Sequence, residues 1–252
     1  MVQAGSPSTQ SVFISVIIPA FNEEKLLPGT LAAVERARQA FRRRGWQSEL
    51  VVCDNNSTDR TGEVARAAGA TVVFEPANQI SRARNAGASV ARGDWFLFVD
   101  ADSQPSAELF ADAADAIASG RVIGCGATLQ LDVPGWWYHA LAKVWICWSR
   151  LARHMAGSFV CVEAAAFRQL GGFSDKLFAA EELEFSARLK CLGRQQGRRV
   201  VILHRHPLLT SGRKIRLYSA RETLGFFLKS VLRPRRMLTD RKQCVLWYDG
   251  RR

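Results

Sequence analysis

Apolar and polar positions follow two rhythms along this chain. Val12 to Ile18, Glu49 to Cys53, Thr71 to Phe74 and Asp94 to Val99 are short runs rich in β-branched and aromatic residues. Such runs suit strands buried on both faces. Between them the apolar positions recur at helical spacing, as Leu27, Leu31, Val34, Ala37 and Phe41 do within Glu24 to Arg44. Thr58 to Ala68 and Ser81 to Ala91 read as two further helices. Strand and helix thus alternate four times, which predicts an α/β fold with a mostly parallel sheet covered by helices on both faces.

The second half is less regular. Val122 to Leu131, "GSFVCV" and "RRVVILH" read as strands, and Trp136 to Met155, Glu181 to Leu192 and Ser219 to Leu232 as helices. No internal repeat or low-complexity linker interrupts the chain, so a single domain is expected. The polar start "MVQAGSPSTQS" has no basic stretch followed by an apolar run; residues 1–11 are expected to form a disordered lead rather than a secretory signal.

Composition narrows this picture in three ways. The 252 residues, 48% of them hydrophobic, suffice for a sizeable core. Six cysteines stand singly, without a CxxC pair, so a zinc site is not expected and a reducing cytoplasm is. The net charge of +12 is concentrated at one end: residues 198–252 hold 15 Lys and Arg against 3 Asp and Glu. An excess of that kind suits a phosphate-bearing ligand or an anionic membrane surface, with a solvated tail as the plain alternative. Nucleic acid is not expected, because no aromatic platform for bases accompanies the cations.

The chemistry gathers where the strands end, the place at which open α/β sheets bind ligands. After the first strand come Pro19, Phe21, Asn22 and Glu23; after the second, Asp54, Asn55 and Asn56; after the third, Arg82, Arg84 and Asn85; after the fourth, Asp100 and Asp102. Two carboxylates one residue apart in a turn suit a hard divalent cation, Mg²⁺ or Mn²⁺, whose shell substrate phosphates would complete. Ser103 or Ser106 already supplies the cap of the helix that follows, so the aspartates are not needed there. No GxxxxGK[ST] loop is present. "GCGATL" lacks the third glycine of a dinucleotide fingerprint and opens no helix, which argues against hydride chemistry.

"SVIIPAFNEE", "VVCDNNSTDRT", "ARNAG", "FLFVDADSQP", "LGGF" and "AAEELEFSARLKCLG" occur in this order. Together they resemble the family 2 glycosyltransferases of the GT-A fold, from about Ser15 to Arg205. The resemblance implies a single GT-A-like domain on a Rossmann-like sheet. Residues 12–105 would form the nucleotide-binding half, 106–205 an irregular acceptor half, and 206–252 a basic lid and helical tail. It further implies a nucleotide-diphosphate sugar donor, a divalent metal and an inverting transfer to a hydroxyl acceptor. Pro19, Phe21 and Glu23 would line the nucleoside pocket, Asp54 would contact the base, and Arg84 would lie near the base or the diphosphate. Asp100 would sit near the ribose and metal, and Asp102 would bind metal directly. Alternatives are a sugar-phosphate nucleotidyltransferase, which would want a Gly-rich loop where "PAFNEEKLLPGT" stands, and a non-catalytic nucleotide-sugar-binding module, which would not need the acids intact.

Transfer with inversion needs a carboxylate to take the acceptor's proton. Glu181 and Glu182 are the candidates. The family carries Glu-Asp at this place, with the second residue as base, so Glu182 takes that role and is one methylene longer. Helix-start acids opposing a helix dipole are the structural alternative. His204 and His206, on one side of a strand end, are candidates for a third metal ligand, against a plain capped strand end. "TSGRK", with Arg213, could close over the diphosphate. Four of the seven tryptophans lie between Trp136 and Trp148. With the basic tail they point to a peripheral enzyme on the cytoplasmic face of a membrane and an acceptor that is lipid-linked or otherwise amphipathic.

Overall fold

β1 (Phe13–Ala20) takes the middle of the first half because every second side chain serves a different layer. Val16 and Ile18 pack toward one face of the sheet and Ile17 toward the other, and all three are fully buried. The structure is a computed structural model that describes residues 11–132, 153–155 and 157–212. After β1 come α1 (Leu27–Arg42), β2 (Gln47–Asp54), α2 (Thr61–Ala67), β3 (Thr71–Phe74), α3 (Ile80–Val90) and β4 (Trp95–Val99). β1 pairs in parallel with β2 and β4, and β2 with β3, so the four expected strands form the expected parallel unit. α1 starts three residues later than its periodicity suggests. The Glu23 carbonyl accepts the N–H groups of Leu26 and Leu27 in a turn, and Pro28 then occupies the first helical turn, where it needs no donor.

The second half continues with β5 (Ser103–Gln104), α4 (Ala107–Ala118), β6 (Val122–Asp132), β7 (Phe159–Glu163), α5 (Ala164–Gln169), α6 (Glu181–Gln195) and β8 (Arg199–Ser211). The sheet runs in the order β3-β2-β1-β4-β7-β6-β8-β5. β7 is antiparallel to both neighbours, and β5 is antiparallel to β8. β6 and β8 are parallel, so the sheet is mostly parallel. Ser106 caps α4, its side chain accepting the Leu109 N–H, which leaves Asp100 and Asp102 outside that role. "GCGATL" lies inside β6, where bare glycines admit neighbours: a Cβ at Gly124 would come 2.8 Å from the Cys161 carbonyl. Cys125 faces Cys161 across β6 and β7; both are free and buried, as small hydrophobes are.

Helices cover both faces. Leu27, Leu31 and Phe41 of α1 and Phe110 of α4 pack on one face with Val16, Ile18, Val52 and Leu97. On the other, Ala88 of α3, Phe167 of α5 and Phe185 and Leu189 of α6 pack with Ile17, Phe96 and Phe98. Gly87 brings α3 onto the sheet, since a Cβ there would stand 2.5 Å from the Ile17 side chain.

β8 departs furthest from the sequence reading. It extends seven residues past His204, and its register on β6 jumps from Ala127↔Leu203 to Leu129↔Leu208. Residues 204–207 therefore bulge out of the ladder, with Pro207, which has no N–H to give, among them. The helix expected from Trp136 to Met155 does not reach its end: Arg153 has φ 52° and lies in a turn. The rest of that helix, the lead, Arg213 and the helix expected at Ser219 to Leu232 fall outside the described residues.

Candidate active site

Four strand ends and the start of α6 meet at one rim. The loop after β1 is held from across the cleft. Asn22, at φ 51°, donates its N–H to the Ser57 hydroxyl and accepts the Thr58 N–H, and the Glu23 N–H donates to the Thr61 hydroxyl. Glu23 is buried at this junction, and Pro19 is buried at the end of β1 opposite Cys53. Phe21 lines a cleft of about 600 Å³, whose walls also include Asn56, Ala77, Asn78, Gln79, Arg82 and Phe178. Asp54 lies beside this cleft. One carboxylate oxygen accepts the Ser57 N–H, and the other lies close over Gly62, where a Cβ would be 2.8 Å away.

Three amide side chains fasten the loops, Asn55 and Gln79 buried and Asn85 half-buried. Asn55 donates to the carbonyls of Glu75 and Ala77 and accepts the Gln79 N–H. Gln79, 5% exposed, donates to the carbonyls of Asp175 and Leu177. Asn85 brackets Phe173, donating to its carbonyl and accepting its N–H. Buried amides paired in this way fix the segment 173–178 on α3. Sequence reasoning set Asn55 and Asn85 on the rim and gave Gln79 no role; it did not see these bonds, because they recognise backbone groups in other loops and no local spacing marks that.

The charged centre lies next to these amides. Arg84, 1% exposed, donates from Nη1 to Glu181 at 2.5 Å, and from Nη2 to Asp100 at 3.1 Å and to the Gly157 carbonyl at 2.9 Å. Its guanidinium also lies 5.4 Å from the centre of the Phe173 ring. Burial opposes the positive charge, but Asp100, Glu181 and Glu182 outweigh it and hold the Arg84 pKa above its ordinary value. The expectation set Arg84 near the base or the diphosphate. Its charge is taken up by the chain's own carboxylates, Glu181 and Asp100.

Glu182, half-buried beside this pair, is in the opposite condition. Burial first, and then repulsion from Glu181, lift its carboxyl to about 8, with Arg84 offsetting part of the rise. α6 begins at Glu181 directly after Ala180, a non-glycine residue in the left-handed region at φ 59°. Backbone of that kind costs free energy and persists where packing enforces it. Here Phe173, Phe185 and Phe167 do so, with ring centroids 4.8–5.5 Å apart. Arg188 adds bonds to Glu184 and to the carbonyls of Leu170 and Gly172.

Asp100 and Asp102 sit in the turn between β4 and β5. The Asp100 N–H donates to the Ser158 carbonyl at 3.4 Å, and the Asp102 carbonyl accepts the Ser211 N–H at 3.1 Å. Two adjacent carboxylates in a turn form a hard-oxygen donor set, which fits Mg²⁺ or Mn²⁺ completed by other oxygens. Among the described residues no group of three or more His, Cys, Asp or Glu could hold a metal by itself. The two histidines do not join the aspartates. His206 Nδ1 lies 3.0 Å from Asp112 on α4, and His204 is exposed with its ring by its own strand's Ile202 carbonyl. Both residues lie in the bulge of β8, before the strand end that meets Asp102.

Against known proteins, the profile described as glycosyl transferase family 2 matches residues 15–169. An uncharacterized glycosyltransferase of Mycobacterium bovis is 30% identical over 142 residues, 56% of this chain and 61% of that protein. This chain thus spans less than two thirds of that relative's length. Among solved structures, the mannosyltransferase PcManGT of Pyrobaculum calidifontis, in complex with GDP-Man and Mn²⁺, superposes with a TM-score of 0.64 at 19% identity. The match covers 97% of this chain and 71% of that one. Residues 1–349 of S. aureus TarS, in complex with UDP-GlcNAc, give 0.61 at 21% identity, over 92% and 69% of the two chains. These likenesses establish the GT-A fold, and with the profile covering more than half its length the chain belongs to glycosyl transferase family 2.

Proposed function

We propose that this protein is an inverting, metal-dependent glycosyltransferase that moves a sugar from a nucleotide-diphosphate sugar to a hydroxyl acceptor. The observation that carries this reading is the segment at Gly157 and Ser158. Its carbonyls bond Arg84 on one side and the Asp100 N–H on the other, and Glu182 lies against the Gly157 Cα. A donor seat and an acceptor-side carboxylate therefore flank one short stretch of chain.

The nucleoside would occupy the cleft lined by Phe21 and Phe178, with Pro19 and Glu23 supporting the first wall and Asp54 beside it. The diphosphate would reach the turn at Asp100 and Asp102, which would hold the divalent cation. When bound, that cation supplies charge neutralisation for the departing diphosphate. Glu182 would accept the acceptor hydroxyl's proton as its oxygen bonds the anomeric carbon from the side opposite the diphosphate, so the configuration inverts. Glu181, neutralised by Arg84, would hold the start of α6 rather than move a proton. Arg213 and the residues after it would close over the donor as a lid. The GDP-Man, UDP-GlcNAc and Mn²⁺ of the two structural neighbours support a sugar nucleotide and a divalent cation. The tryptophan-rich and basic segments support a peripheral place at the cytoplasmic face of a membrane and a lipid-linked acceptor.

The test is calorimetric titration of UDP-glucose, UDP-N-acetylglucosamine and GDP-mannose with and without Mn²⁺. One of them should bind, and bind at least about tenfold more weakly, a loss of roughly 1.4 kcal/mol, to Asp102→Asn with Mn²⁺ present. If none binds the wild-type chain, the reading fails.

A further inference from the structure

Among the described glycines, Gly157 alone has its bare Cα beside both the buried Arg84 guanidinium and the Glu182 carboxyl. A Cβ placed there would stand 3.0 Å from Arg84 Nη2, 3.3 Å from Glu182 Cδ and 3.4 Å from Glu182 Oε1. Its φ is not in the left-handed region, so the backbone does not ask for glycine. The close approach of Glu182 does. The neighbours cannot easily give way: the guanidinium is fixed by Glu181, Asp100 and the Gly157 carbonyl. α6 is fixed by the aromatic cluster and by Arg188. A methyl group at Gly157 would therefore meet a fixed guanidinium on one side, and on the other the Glu182 carboxyl would have to move by a few tenths of an ångström.

We propose that Gly157 is a positioning residue that sets the length of the acceptor-side acid. The space over its Cα takes up the full reach of a glutamate at position 182. With a methyl group there, the site would select the shorter aspartate. The inference rests on Glu182 as the acceptor-side carboxylate. In that step the acceptor O–H proton passes to Glu182, the oxygen bonds the anomeric carbon, and the bond from that carbon to the diphosphate breaks. Gly157 takes no part in the electron flow; it fixes where the accepting oxygen stands.

Four proteins test this: wild type, Gly157→Ala, Glu182→Asp and the double variant. Each is compared by thermal melting and by release of the nucleotide diphosphate from UDP-glucose, UDP-N-acetylglucosamine and GDP-mannose with water as acceptor. In the glycine background Glu182→Asp should lower turnover by about tenfold or more, because a general base out of reach forfeits part of its roughly 10²- to 10⁴-fold contribution. In the alanine background the preference should reverse. The double variant should turn over faster than Gly157→Ala and melt about 2–4 °C above it. A Gly157→Ala protein that fails to fold and is repaired by Glu182→Asp supports the contact; one that is not repaired overturns it. Effects that simply add, in melting or in turnover, also overturn it, and melting decides alone where none of the three donors is cleaved. Glu182→Gln separates this idea from the one beneath it. Full turnover in Glu182→Gln removes the acid's role, whereas an inactive Glu182→Gln beside an additive cycle removes only the role of Gly157.

Discussion

At the scale of single residues, Glu182 sets stability and activity against each other. In the folded chain its carboxyl keeps a proton up to about 8, whereas the unfolded chain releases it near the ordinary 4.5. Between those values the folded state binds more protons, so this group's contribution is complete below 4.5 and is lost as pH rises through about 8. Ligand-free wild type should therefore melt at falling temperature from pH 5 to about 9, and Glu182→Gln should flatten that decline. On the proposed function the same deprotonation would create the base, so kcat/KM should climb across the interval in which the fold weakens. A kcat/KM that is level from pH 6 to about 9 would show that the carboxyl is already ionised in the loaded enzyme, and full turnover in Glu182→Gln would deny Glu182 the role. Arg84 is the complementary case. Arg84→Met leaves Glu181 and Asp100 without their shared cation, and urea unfolding should report a loss of about 3–5 kcal/mol. Arg84→Lys should recover little of it, because one ammonium cannot reach two carboxylates and a carbonyl as a planar fork does.

At the scale of elements, legibility divides along the length of the interactions. β1 to β4 and the helices between them were readable because each is set by its own local period and by buried apolar side chains. "ARNAG" compresses three tasks into one turn of α3: Arg84 holds the acids, Asn85 brackets Phe173, and Gly87 meets the sheet. The residue types were visible in the sequence, but the tasks were not, since each partner is distant. β5 is two residues long, and α5 is a short helix following directly on β7; neither is long enough to show a period. The bulge in β8 breaks the period on which the spacing of His204 and His206 was read, and His206 lies by Asp112 of α4. Two measurements address the segment 173–178. Gln79→Ala removes both bonds to it, so trypsin should cut at the exposed Lys176 faster than in wild type, with little change in the melting of the sheet. Phe173→Ala empties the centre of the aromatic cluster and should cost about 3–5 kcal/mol in denaturant unfolding. If tryptic cleavage is unchanged, Gln79 is not the strap.

For the whole molecule, charge placement makes one prediction. The concentration of 15 basic residues in 198–252 should draw the full chain onto vesicles with anionic headgroups, since each cation near such a surface contributes about 1 kcal/mol. Co-sedimentation should be strong at low salt and fall steeply at high salt. Equal sedimentation with neutral vesicles would point to the tryptophans instead. Sheet order has a different consequence, for a chain still being made. Among the described residues β5 pairs only with β8, through Ser103↔Thr210 and Gln104↔Leu209, and the Asp102 carbonyl takes its bond from Ser211. The four parallel strands can assemble as they leave the ribosome. The turn carrying Asp100 and Asp102 closes locally, the Ser103 N–H donating to the Asp100 carbonyl, but its cover by β8 must wait for residue 211, roughly 5–20 s of synthesis later at common elongation rates. Until then a nascent chain has β1 to β4 but not the strand that lies against β5 and the Asp102 carbonyl, so the order of translation completes the carboxylate-bearing end of the rim last.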